Sequence, residues 1–268
     1  MFYRPGFFIM LRYFHLFGLA IPMFNLLIGI GISLAMLFLQ YDRSFQSADE
    51  KYRQTIHLGL FLSLLVGIVG AFLLDAYTQH IPVRFSNLRT IGLTFWGGLI
   101  LGFICLVIYL KIMSLPVNDT LNLLTMPFCI AHGFGRIGCF CAGCCFGKPT
   151  MSCMGVVFPN GSLPYLHYGQ DISIFPTQLF ESGFVLLLFL FFLFSKSKIV
   201  LENRWLIYLV TYAVFRFCIE YIRADNRGVL GPQSLFSPSQ IISLAVFIII
   251  VPVLIYKIIA KDKLRPCP

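Results

Sequence analysis

Charge is the scarcest property of this sequence. Of 268 residues, 12% are Asp, Glu, Lys or Arg, and only 11 are acidic. A soluble domain carries about 25% charged residues. The shortfall excludes an ordinary cytosolic globule. A hydrophobic content of 58%, with 29 Phe, excludes a disordered chain. Small residues suited to leader cleavage are missing after the first apolar run, where Gln40, Tyr41 and Asp42 stand instead. That run, Leu16 to Leu39, also exceeds the ~7–15 residue core of a signal peptide, so it reads as a retained helix. Pro22 inside it predicts a kink or a restart. Cysteine is present, but an odd total of nine excludes a complete disulfide framework of the secreted kind. No internal repeat or low-complexity segment breaks the chain.

What remains is apolar sequence in long runs, with a mean hydropathy of +0.85. One membrane span takes about 20 apolar residues. The runs predict helices near 14–39, 56–77, 91–113, 121–134, 176–195, 204–222 and 239–259. The expected fold is therefore all-α: one polytopic membrane domain over residues 1–268, with about seven helices and a head loop over 135–175. The fourth run is short, contains Pro127 and leads into His132 and Gly133, so it reads as a broken or re-entrant helix. Seven spans put the termini on opposite sides. Lys and Arg are more numerous in the loops on the C-terminal side, which predicts a cytoplasmic C-terminus and an outside N-terminus. The net charge of +9 is scattered between apolar runs and suits anionic membrane lipids rather than nucleic acid.

Ionisable residues inside a span cost roughly 2.5 to 3.5 kcal/mol each and mark sites. Tyr212, Arg216, Glu220, Arg223 and Arg227 recur every three or four residues, which predicts one helical face. Glu220 pairs with one Arg and leaves a surplus cation for a phosphate headgroup; the alternative is an ion-pair stripe that locks helices together. Gln178 and Glu181 share a face just after Pro176, a residue suited to a helix start. Glu181 reads equally as a site residue or as a carboxylate favoured by the helix dipole.

The segment AHGFGRIGCFCAGCCFGKPT, residues 131–150, is rich in glycine and cysteine. Its glycines predict close backbone approach and an anion-binding nest of free N–H groups, with Arg136 adding a bidentate contact. His132, four residues before Arg136, is a candidate general base or a histidine that orders the turn. The cluster Cys139, Cys141, Cys144, Cys145 and Cys153 reads first as small residues filling a tight turn. A structural metal, a local disulfide and a cysteine nucleophile are the alternatives.

Four pieces resemble, in order, the prolipoprotein diacylglyceryl transferase family. FWGG at 95–98 resembles its FHGG, and GRIGCFCAGCCFG at 135–147 resembles its GRIGNFINGExxG. FPTQLFES at 175–182 is similar to HPSQLYEA, and YAVFRFCIEYIRADNRG at 212–228 to FRFxxEFxRxPD. SPSQIISL after residue 237 resembles the start of the family's last helix.

The resemblance implies an inner-membrane transferase that moves a diacylglyceryl group from phosphatidylglycerol to the lipobox cysteine in the signal peptide of a lipoprotein precursor, releasing glycerol phosphate. It implies catalytic roles for Arg136, Arg216 and Glu220; His132, read from its place four residues before Arg136 and not from the resemblance, is the candidate base. Arg223, Gly138, Gly147, Cys139, Tyr212, Gln178 and Glu181 are the expected substrate-binding residues. No cofactor and no metal are expected.

Departures are specific. The family's His in FHGG is Trp96, its signature Asn residues are Cys139 and Ala142, its Glu is Cys144, and its GGR near the second span is GIVG at 67–70. Two other readings follow from them: a same-fold transferase with a different acceptor, or a lipid- or metal-binding membrane protein without catalysis.

Overall fold

The structure is a computed structural model that describes residues 12–16, 18–78, 82, 95–224 and 236–263. It is nearly all helical and belongs to a multi-pass membrane protein. Six helices are long and apolar enough to cross a membrane, and Gly97–Ile112 is a shorter apolar helix among the described residues. Large hydrophobic side chains such as Leu37, Phe61, Ile108, Leu187 and Ile249 are exposed along these helices, as a lipid-facing surface requires.

The chain divides into two compact units. Unit two, Gln40–Leu123, holds a short capped helix α2 (Arg43–Gln46), the long α3 (Glu50–Thr78) and α4 (Phe95–Ile112). Here the GIVG and FWGG pieces meet. A Cβ at Gly70 would lie 2.6 Å from the Gly97 carbonyl oxygen, and one at Gly67 would lie 3.0 Å from that of Gly98. Glycine is needed because the two backbones touch, the packing mode of small residues in membrane helices.

Unit one comprises residues 1–39 and 124–268. It opens with an antiparallel hairpin, β1 (Tyr13–Leu16) and β2 (Leu19–Pro22), before α1 (Met23–Tyr41). The first helix was expected from residue 14; it begins only after Pro22. Proline tolerates the edge of a helix but not its interior hydrogen bonds, so it marks the restart.

The fourth apolar run differs from its expected form. It is neither short nor broken: α5 runs unbroken from Val117 to Ala142 through Pro127. The expected nest of free N–H groups is accordingly absent from residues 131–142, whose backbone is helical. Gly133 and Gly138 work instead as contact points. A Cβ at Gly133 would lie 2.8 Å from Leu186, and one at Gly138 would lie 3.3 Å from Phe24 of α1. Burial of much of this helix makes internal backbone hydrogen bonding the cheaper solution for a glycine-rich stretch.

A small head follows. It contains β3 (Val156–Val157), α6 (Leu163–Tyr168) and β4 (Ser173–Ile174), with β3 and β4 antiparallel. Phe140, Phe146, Val156, Phe158 and Ile174 form its apolar core. Then come α7 (Thr177–Phe194), the short α8 (Lys198–Glu202), α9 (Arg204–Ile219), a 3-10 turn (Glu220–Ile222) and α10 (Pro238–Lys263). The expected single face from Tyr212 to Arg227 is cut short. The α-helix ends at Ile219, and Arg223 is extended and bridged to Gly147. Arg227 lies outside the described residues.

Candidate active site

Glu181, one turn into α7, has no exposed surface. Three elements direct polar groups at it. Arg136 on α5 places Nη2 2.8 Å from Oε1. Tyr212 on α9 donates its hydroxyl to the same oxygen at 2.5 Å. Arg223 brings Nη1 to 3.7 Å from Oε2. A buried carboxylate stays charged only when such partners replace water.

The pattern continues from Arg223. Its Nε lies 3.9 Å from Glu220 Oε2, and Arg216 Nη1 lies 2.8 Å from the same oxygen. Ser237 donates to Glu220 Oε1 at 2.9 Å, and Arg216 Nη2 donates to Ser239 at 3.0 Å. The result is an alternating chain, Arg136–Glu181–Arg223–Glu220–Arg216, in which every member is buried or nearly so. Among the described residues this chain holds three guanidiniums and two carboxylates. Arg216 and Glu220 are four residues apart on adjoining helical turns, as their spacing predicts.

His132 lies inside this assembly. Its Nδ1 is 2.7 Å from the Tyr208 hydroxyl, its Nε2 is 3.6 Å from Glu181, and Arg136 Nε is 3.5 Å from Nε2. Tyr208 and Tyr212 stack with ring centroids 5.6 Å apart. Both imidazole nitrogens therefore face protein partners.

Gly147 explains how Arg223 reaches the site. The Gly147 N–H bonds to Phe175 O at 3.0 Å, Lys148 N–H to Ile222 O at 2.8 Å, and Ala224 N–H to Phe146 O at 3.1 Å. A Cβ on residue 147 would meet Phe175 O at 2.7 Å and Ile222 O at 2.8 Å. Only glycine lets the three backbone segments close around Arg223.

The end of α5 is a Schellman turn. Cys144 N–H reaches back to Cys139 O at 3.2 Å and Gly143 N–H to Phe140 O at 3.0 Å, with Gly143 left-handed at φ 72°. This motif lays the side chain after the glycine against the one three positions before the cap, here Cys144 against Cys139. Cys145 is also left-handed, at φ 64°, an uncommon conformation for a residue with a Cβ. It brings a third sulfur to the same place: the Sγ atoms of Cys139, Cys144 and Cys145 all lie within 4.8 Å of one another. Gln178 Nε2 donates to Cys144 O at 2.5 Å and Thr177 Oγ1 to Cys145 O at 2.6 Å, fixing both cysteines from the start of α7. Arg136 Nη1 is 4.0 Å from Cys145 Sγ. Hydrogen bonds from the Cys139 and Cys144 thiols, with help from Arg223 and Arg136, hold the Cys145 thiol below its ordinary range against the opposing effect of burial. The Cys144 thiol is pushed up by its hydrogen bonds with Cys139 and Cys145 and by burial.

The structure thus brings Arg136, Arg216, Glu220, Arg223, His132, Tyr212 and Glu181 into one network. Cys139, Gln178 and Gly147 border it, while Gly138 packs against α1. Tyr208, Ser237, Ser239 and Thr177 also belong to the site, although the sequence does not single them out. Tyr208 carried a signal, because it precedes Tyr212 by one helical turn.

A family model for prolipoprotein diacylglyceryl transferase matches residues 12–256. The chain belongs to this family. It is 34% identical to a phosphatidylglycerol–prolipoprotein diacylglyceryl transferase of Clostridium tetani over 91% of this chain and 96% of that relative. Identity is 33% to the enzyme numbered 2 of Clostridium perfringens, covering 91% of this chain and 93% of the relative. It is 26% to the enzyme of the same name from Dehalococcoides mccartyi, covering 91% and 92%.

Proposed function

We propose that this membrane protein transfers a diacylglyceryl group from phosphatidylglycerol to the lipobox cysteine thiol of lipoprotein precursors and releases glycerol phosphate. The observation that carries the site assignment is the buried chain Arg136–Glu181–Arg223–Glu220–Arg216, which gathers three guanidiniums at membrane depth. Guanidiniums recognise a phosphodiester by charge-assisted, bidentate hydrogen bonds.

Arg136 and Arg216 stand at the two ends of this chain. They are the groups to hold the headgroup phosphate and to stabilise charge on the departing glycerol phosphate. Glu181 and Glu220 are positioning residues that keep three like charges together. Arg223 joins them as the shared cation. Tyr212 fixes Glu181. His132, held by Tyr208 and Arg136, orients the Arg136–Glu181 pair. Gln178 and Gly147 shape the wall from which Arg223 and the cysteine turn project, and Gly138 sets the approach of α1. Residues 1–268 act as one transferase domain, with the head and the site toward the outer leaflet of a bacterial inner membrane. The distribution of Lys and Arg supports an outside N-terminus and a cytoplasmic C-terminus.

The test uses full-length protein in nanodiscs of phosphatidylglycerol with a synthetic lipobox peptide. Glycerol phosphate release well above that of Arg136→Ala is the expected result. Release no greater than that of the variant contradicts it. Trp96 in place of the family histidine favours one second reading, a different acceptor. In that case phosphatidylglycerol is consumed in native membranes while the lipobox peptide stays unmodified.

A further inference from the structure

The proposed transfer needs the acceptor as a thiolate, and two obvious bases are unsuited to making it. Trp96 replaces the family histidine, and indole N–H is a donor only. His132 turns both nitrogens to protein partners. Beside Arg136 stands a different device. Cys139, Cys144 and Cys145 offer three sulfur atoms within 4.8 Å of one another. Thiolates on zinc at about 2.3 Å in a tetrahedron lie roughly 3.8 Å apart, so side-chain adjustment closes the set around one ion.

The backbone is built for this convergence. Side chains of consecutive residues ordinarily diverge. The Schellman turn at Gly143 sets Cys144 over Cys139, and the left-handed backbone at Cys145 folds the next sulfur onto the pair. Thr177 and Gln178 hold the carbonyls of Cys145 and Cys144. These contacts orient the ligands from a second layer, which metal sites require. Three thiolates on a divalent ion carry one net negative charge, and the Arg136 guanidinium lies 4.0 Å from Cys145.

We propose that Cys139, Cys144 and Cys145 bind Zn²⁺ through three thiolates and leave a fourth position for the acceptor thiol of the substrate. Three protein ligands with an open position are the pattern of a reactive zinc rather than a structural one. A thiol that coordinates zinc is deprotonated outright. This inference rests on the transfer reading above and supplies its missing base. The acceptor binds, and its proton passes to solvent. The sulfur electron pair forms a bond to the glyceryl carbon bearing the phosphate ester. The C–O bond breaks, and its electron pair leaves with glycerol phosphate held by the arginines. Thiol and phosphatidylglycerol give thioether, glycerol phosphate and one proton, with no change of oxidation state.

The test loads metal-free, full-length protein in phosphatidylglycerol nanodiscs with Co²⁺, which reports thiolate ligation by its charge-transfer and tetrahedral d–d absorption. Wild type is expected to show both bands. Cys139→Ser, Cys144→Ser and Cys145→Ser each weaken them, while Cys153→Ser leaves them unchanged. Adding the lipobox peptide increases the charge-transfer band and shifts the d–d bands; a peptide with Ser in place of its Cys does neither. This readout on wild type stands even where a variant fails to fold. A featureless octahedral spectrum, or no response to the thiol peptide, overturns the proposal. Glycerol phosphate release at an undiminished rate by metal-free protein also overturns it and keeps the transfer reading; the expected fall is about tenfold or more. A peptide-dependent spectral shift without any release at full metal loading supports the thiol-binding metal site and removes the transfer reading.

Discussion

Arg136 and Glu181 face each other at 2.8 Å, one from α5 and one from α7, and Glu181 has no exposed surface. In a chain this poor in charge the pair is a commitment. Each charge is stable there only because the other is present.

Glu181→Gln leaves Arg136 and Arg223 facing a neutral amide. Breaking a buried ion pair by removing one partner costs about 3–5 kcal/mol. The variant is expected to unfold many degrees lower in a thermal scan in detergent. Arg136→Gln combined with Glu181→Gln recovers part of that loss. An unchanged midpoint for Glu181→Gln contradicts a charged Glu181.

Tyr212→Phe keeps the ring stacked on Tyr208 and removes only the hydroxyl that donates to Glu181. A hydrogen bond to a charged group contributes about 1.5–3 kcal/mol. Stability should fall by less than in Glu181→Gln, and the effect should shrink in a Glu181→Gln background to that of a neutral hydrogen bond, about 0.5–1.5 kcal/mol. A double-mutant cycle measures this coupling; additive losses sink the assignment.

Gly147→Ala and Gly135→Ala test opposite expectations for two glycines of one motif. A Cβ at 147 meets two carbonyl oxygens below 3.0 Å, whereas one at 135 meets nothing within 4 Å. The first variant displaces Arg223 and should lose activity, with a stability cost of about 1–3 kcal/mol. The second sits in a helix, where alanine is favoured over glycine by about 1 kcal/mol, and should keep its activity. Equal behaviour of the two is evidence against the backbone closure around residue 147.

Ser239→Ala removes the hydroxyl that receives Arg216 Nη2 at 3.0 Å without changing any charge. Loss of that orienting bond should lower kcat/KM for phosphatidylglycerol by about 10–100-fold, and Arg216→Lys should not restore it. Steady-state glycerol phosphate release decides it; an unaltered kcat/KM places Arg216 outside the site.

Much of this arrangement was legible in the sequence, for identifiable reasons. The apolar runs marked the helices, because lipid imposes length and composition on each span. Arg216 and Glu220 were readable as a pair, because four residues make one helical turn. The extent of α5 was not readable: His132, Gly133 and Arg136 end the apolar run, and their stability in the helix comes from Glu181 and Tyr208 on other helices. Glu181 reads from sequence equally as a site residue or as a helix-start carboxylate, since its partners are distant in sequence. Arg223 lost its helical register to a backbone bridge with Gly147, which spacing does not encode. The meeting of three sulfur atoms depends on a left-handed Cys145, a conformation that residue type does not announce.

The most direct measurement is the mass of a lipobox peptide after incubation with the purified protein in phosphatidylglycerol nanodiscs. The account predicts a gain of one diacylglyceryl group on the cysteine sulfur, matched by an equal amount of glycerol phosphate, and no gain on the peptide with Ser in its place. An unmodified cysteine peptide, with folded and metal-loaded protein present, contradicts it.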